Sequence, residues 1–120
     1  MYKRQAIPHF LYIIQHTANV TNYSYPPPSS SSSEKIYISE NSERYIRYRA
    51  FANMARAYLS LGETQKAIAS AVSALRVEPY AYGTILFLRK ILMQNGINPQ
   101  KVDEELSRLV WSSNIQFSPE

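Results

Sequence analysis

An all-α fold of antiparallel helical hairpins is the class this sequence predicts, and three observations predict it. Apolar residues recur at i, i+3, i+4 and i+7 in one segment after another, the period of a single buried helix face. Gly62 and Gly96 stand where two such segments end, one period of about 34 residues apart. No stretch shows the strict alternation of a half-buried strand.

The first expected element lies within residues 1–20, an amphipathic helix with Ile7, Phe10, Leu11 and Ile14 along one stripe. Residues 21–41 follow as a flexible linker or loop. Three consecutive prolines, Pro26 to Pro28, cannot continue a helix, and five serines offer nothing to bury. From residue 42 to about 115 the helical pattern returns as one domain. Its first helix carries Phe51, Met54, Ala55 and Tyr58 on one face and stops at Gly62, a residue that takes positive φ at little cost. Glu63 or Thr64 is the expected cap of the next helix, which presents Ala67, Ile68, Ala71, Ala74 and Leu75 and ends before Pro79.

A further helix over residues 80–94 presents Ile85, Leu88 and Leu92, with Gly96 as its terminator. Asn98 as N-cap and Pro99 at the first helical position are expected to open the last helix, with Val102, Leu106, Leu109 and Val110 buried. Glu104 and Arg108 are spaced for an i, i+4 pair on its surface, worth about 0.3–0.5 kcal/mol. Trp111 either caps the core or meets a neighbouring subunit, so a homo-oligomer through terminal helices is an open expectation.

Composition narrows the function. The 120 residues suit one domain or a piece of a larger one, and no apolar run approaches the ~20 residues that span a bilayer. The opening MYKRQAIPHFLYIIQH has a basic start and an apolar patch, yet Pro8, His9, Gln15 and His16 break it and argue against a secretory signal. There is no cysteine, so no disulfide framework or thiolate metal site exists, and an intracellular setting, cytoplasm or nucleus, is expected. The net charge of +4 points mildly to acidic partners.

Spacing carries the argument further. With Tyr48 as first position, Phe51 is an aromatic at the fourth, Met54 stands at the seventh and Ala55 is small at the eighth. Tyr58 is aromatic at the eleventh, Gly62 falls on the turn, and Ala67 and Ala74 are small at the twentieth and twenty-seventh. Pro79 closes the unit at the thirty-second. This pattern resembles the tetratricopeptide repeat, a helix-turn-helix unit that stacks into a right-handed superhelix. Ala71 stands where that family usually has an aromatic, and Thr64 where it often has Tyr. A second, degenerate unit begins at Tyr82, with Ile85, Leu88 and Arg89 at the fourth, seventh and eighth positions.

The resemblance implies an adaptor or scaffold module whose first helices line a concave surface for a partner's peptide or helix. Position by position, that surface is Arg49, Ala52, Asn53 and Arg56, then Leu86, Phe87 and Lys90, which suits an acidic, partly apolar segment. FANMARAY also resembles chaperone-binding members in which an asparagine, here Asn53, helps clamp a C-terminal carboxylate. The basic residues that such a clamp requires fall here on Gly83 and Phe87, which supply no charge. A third reading, a basic RNA- or DNA-binding module, takes Arg44, Arg47 and Tyr48 as a basic-aromatic patch on one helix face. His9 and His16 lack the spacing and further ligands of a metal site. No phosphate loop or nucleophile motif points to an enzyme or a cofactor.

Overall fold

The computed structural model describes residues 4–24 and 42–112. Within them the chain forms α1 (Ala6–His16), α2 (Glu43–Ser60), α3 (Thr64–Val77), α4 (Tyr82–Gln94) and α5 (Val102–Trp111), with no strand among the described residues. The expected Pro/Ser linker lies mostly outside the described residues.

Helix α1 buries Ile7, Phe10 and Ile14 of the stripe that periodicity predicts and leaves its fourth member, Leu11, half-buried. Pro8 sits in its first turn, where a missing N–H leaves no bond unmade. At the other end Thr17 turns its hydroxyl back onto the Ile13 carbonyl at 2.9 Å and closes the helix. Helix α2 opens on Ser42, whose side chain accepts from the Tyr45 backbone N–H at 3.0 Å.

Helix α2 ends by folding back at Gly62, with φ of 78°. Gly62 N–H donates to the Leu59 carbonyl at 3.0 Å and Glu63 N–H to the Tyr58 carbonyl at 2.9 Å. That pair of bonds satisfies carbonyls a helix end otherwise leaves orphaned. The end of α4 repeats it one period later: Gly96 has φ of 99°, and Gly96 and Ile97 donate to Met93 and Leu92 at 3.1 and 3.0 Å. Two antiparallel hairpins, α2–α3 and α4–α5, therefore share one turn chemistry.

Helix α3 packs against α2, α4 and α5. Its small residues make this possible. Ala67, Ser70, Ala71, Ser73 and Ala74 are all buried and let neighbouring backbones come close, while Val72, Leu75 and Val77 fill the space between. Side-chain hydrogen bonds tie α2 to α4 and α3 to α5. Tyr48 Oη at the start of α2 shares a 2.7 Å hydrogen bond with Thr84 Oγ1 at the start of α4. Arg76 near the end of α3 donates from Nε to the Val110 carbonyl at 2.7 Å and from Nη2 to the Leu109 carbonyl at 3.1 Å, both near the end of α5.

Helix α1 joins this body by lying antiparallel along α2. Arg4 before α1 pairs with Glu63 after α2, while Arg47 near the start of α2 donates to the Ile14 carbonyl near the end of α1 at 2.6 Å. One core cluster gathers Ile7, Phe10 and Ile14 with Phe51, Met54 and Tyr58. A second gathers Leu75, Leu88, Leu92, Val102 and Leu109.

Four local expectations are corrected. The last helix starts at Val102, because Asn98 spends its side chain on a tight turn: Oδ1 accepts from Gln100 N–H at 2.9 Å, and Lys101 N–H closes on the Asn98 carbonyl at 2.8 Å. Arg108 pairs with Glu105 and not Glu104, since Nε and Nη2 reach both carboxylate oxygens of the nearer residue, at 3.1 and 2.5 Å. Glu63 stands at the N-cap of α3, yet its side chain serves Arg4 and Lys66 and makes no cap bond. Helix α4 begins at Tyr82 and not Tyr80, because Pro79 and a turn from Glu78 to Ala81 come first.

Candidate functional site

Two helices, α1 and α4, flank the face of α2 that carries Arg49, Asn53 and Arg56. The turn-to-turn spacing of these three residues puts them in one row. On one flank lies a depression of about 270 Å³ between α1 and α2. It is lined by His9, Phe10 and Ile13 from α1 and by Tyr45, Ile46, Arg49, Ala50 and Asn53 from α2. Ala50 is small and nearly fully buried, which lets α1 approach while leaving the space above it open. None of the residues lining the depression is acidic.

Both arginines are laid on aromatic rings. The Arg49 guanidinium lies 5.8 Å from the Tyr45 ring centroid and donates to its hydroxyl at 3.3 Å. Arg56 lies 5.3 Å above the Phe87 ring of α4 and donates to the Ala52 carbonyl at 3.4 Å. Stacking of this kind holds a flexible cation in place while its edge still faces solvent. A pair of placed guanidinium groups beside an apolar hollow suits carboxylates flanked by apolar side chains.

The structure divides the seven residues of the expected surface. Arg49, Asn53 and Arg56 share the strip, and Phe87 joins it from α4. Ala52 is 5% exposed beneath the Arg56 side chain, so it offers no surface to a partner. Leu86 and Lys90 are exposed farther along α4.

The expected patch of Arg44, Arg47 and Tyr48 is not an open surface, because each side chain is spent inside the fold. Arg44 Nη1 donates to the Val77 carbonyl at 2.9 Å, and its guanidinium lies 4.7 Å from the Tyr23 ring centroid. Arg47 reaches the Ile14 carbonyl and, at 3.2 Å, the Thr17 hydroxyl, and burial lowers its pKa from the ordinary arginine value. Tyr48 is held by Thr84. These residues clasp α1 and the start of α4 to α2.

The histidines part company. His9 lines the depression, with its ring 5.8 Å from that of Phe10. His16 stacks on Tyr12 at 3.9 Å and sets Nδ1 2.9 Å from the Tyr12 carbonyl oxygen. Among the described residues, no group of three His, Asp or Glu side chains is placed to hold a metal ion.

Periodicity did not single out Glu78. It lies in the turn after α3, 6% exposed, and its Oε1 has no hydrogen-bond partner among the described residues. Burial pushes its carboxyl above the ordinary value, against a hydrogen bond from the Tyr80 backbone N–H and the nearby Arg44 charge. The α1 contribution to the depression was equally hidden, because it depends on how α1 docks. A second hollow of about 530 Å³ by the α4–α5 turn is lined by Gly96, Ile97, Asn98, Lys101, Glu104, Glu105 and Arg108, mixed in charge.

No family model matches the chain, and neither a curated protein nor a solved structure matches it significantly.

Proposed function

We propose that this chain is a protein–protein interaction module, an adaptor or scaffold of the tetratricopeptide-like kind, that holds an acidic, partly apolar segment of a partner protein along the Arg49-Asn53-Arg56 strip. The observation that carries the reading is the pair of ring-supported guanidinium groups beside a hollow whose lining has no acidic residue. The partner's carboxylates meet the arginine edges, its polar backbone meets Asn53, and its apolar side chains enter between Phe10, Ile13 and Ile46. The repeating hairpins and their matched glycine turns support the family resemblance. With no cysteine in the chain, a reducing compartment inside the cell is the setting we favour.

An array of acidic-apolar peptides, read by fluorescence anisotropy, tests the proposal. Arg49→Glu/Arg56→Glu should lose binding by about 100-fold or more, on the scale of two charge-assisted contacts, with helicity unchanged. Equal binding by both forms would overturn the assignment. Amidating the peptide's C-terminus separates side-chain recognition, which it leaves intact, from a terminal-carboxylate clamp at Asn53, which it abolishes.

A further inference from the structure

His9 is the residue of the hollow whose chemistry the proposed peptide contact leaves unused. It is exposed on α1, next to the buried Phe10, and lines the hollow together with Tyr45, Arg49 and Asn53 of α2. Its ring rests against that of Phe10, tilted by 56° at 5.8 Å between centroids. Among the described residues neither ring nitrogen of His9 has a hydrogen-bond partner, whereas His16 sets Nδ1 against the Tyr12 carbonyl.

We infer that the hollow grips its acidic segment more tightly at mildly acidic pH, with His9 as the group that takes up the proton. This rests on the reading of the Arg49-Asn53-Arg56 strip as the seat of such a segment. Imidazole is the side chain whose charge changes near neutral pH. A carboxylate brought beside it favours the charged ring, so acid binding and proton uptake strengthen each other. Protonation also makes both ring nitrogens donors, and a carboxylate seated in the hollow then accepts from His9 on one wall and from Arg49 on the other. Affinity therefore rises as pH falls through the imidazole range, while the carboxylates of the segment stay ionised down to about pH 5.5.

The surroundings of His9 leave that proton for the ligand to stabilise. Helix α2 is the one packed on α1, and the titratable or charged groups it brings to the hollow are Tyr45 and Arg49. On the α1 side, Arg4 is paired with Glu63 and His16 is stacked on Tyr12. Two carboxylates belong to α2 and its flanks. Glu43 lies in the first turn, and Glu63 beyond the far end is held by Arg4 and Lys66; neither lines the hollow. No carboxylate among the described lining residues neutralises a protonated His9, so the counter-charge comes from the bound segment. His9 lies outside the Ile7, Phe10 and Ile14 stripe that docks α1, so its replacement leaves that packing in place.

Fluorescence anisotropy on the full chain, with a labelled peptide of Glu and Leu residues at constant ionic strength from about pH 8 to about pH 5.5, tests this. The wild type should bind about three- to fivefold more tightly at the acidic end, the scale of one solvent-facing ion pair. His9→Gln should flatten the profile. His9→Lys should also flatten it, but at the tight level, since its charge does not depend on pH over this range. His16→Gln should keep the wild-type slope, and circular dichroism should be the same for all forms. A flat wild-type profile, or a slope that survives His9→Gln, overturns the inference and leaves the strip reading standing so long as Arg49→Glu/Arg56→Glu still loses the peptide. Binding indifferent to Arg49→Glu/Arg56→Glu overturns the strip reading and this inference with it.

Discussion

Two charged side chains at the C-terminal end of α3, Arg76 half-buried and Glu78 buried, show how much one residue can decide. Arg76 turns its guanidinium onto the last carbonyls of α5, taking Val110, Leu109 and Ser112 together, and burial lowers its pKa. Arg76→Ala leaves those carbonyls to water, and thermal melting should show a loss of about 2–3 kcal/mol; Lys cannot rescue it, because a point charge does not reproduce the fork. Glu78 works against the fold. Its raised pKa means the folded chain keeps this proton to higher pH than the unfolded chain does. The group therefore favours folding most below the unfolded carboxyl value near 4.3, and that benefit is lost as pH rises through the folded pKa. Glu78→Gln should raise the melting temperature at pH 7 by a few degrees, on the scale of ~1 kcal/mol, and remove this decline across the mildly acidic range.

Turns and docking surfaces belong to the scale of the element. Gly62 and Gly83 make a controlled contrast, since an added Cβ meets nothing at either. Only Gly62 has positive φ, so Gly62→Ala should cost about 1–2 kcal/mol of backbone strain, while Gly83→Ala should be neutral or stabilising, both read from denaturant midpoints. Helix α1, with 11 residues, is too short to hold its shape alone and depends on the Ile7, Phe10 and Ile14 stripe against α2. Phe10→Ala should cost about 3 kcal/mol or more and release α1 first, seen as hydrogen exchange lost in α1 before the hairpins. The α1 wall of the depression goes with it.

At the scale of the whole molecule, basic charge is distributed unevenly in use. Arg44, Arg47 and Arg76 are consumed within the fold, while Arg49, Arg56 and Lys90 remain on the surface. A partner held by the surface set should bind more weakly as salt is added, whereas melting temperature should depend little on salt, because the internal arginines are shielded from it. Titrating an acidic peptide at rising ionic strength alongside melting curves checks both statements together.

Much of the architecture was legible because its causes are local. Period-3.6 stripes gave α1 to α5 their identity, and Gly62 and Gly96 marked two turns that need positive φ, a requirement set by a single residue's sterics. Helix starts were less legible: Asn98 has cap chemistry, but a competing turn from the same side chain used it first. The candidate site was legible only in part. Arg49, Asn53 and Arg56 follow from their spacing on α2, a local property. Whether Arg44 and Arg47 belong to a surface depended on where α1 and α3 end, and those ends lie about thirty residues away along the chain. The hollow beside Arg49 exists only because α1 docks on Ala50, and Glu78 is buried only because the hairpins close around their shared turn. Sequence by itself determined which segments are helical and where they stop, since backbone sterics and apolar period act within a few residues. Tertiary structure alone decided which cations turn into the fold and which lie exposed, because desolvation and hydrogen bonding depend on neighbours that the local pattern does not specify.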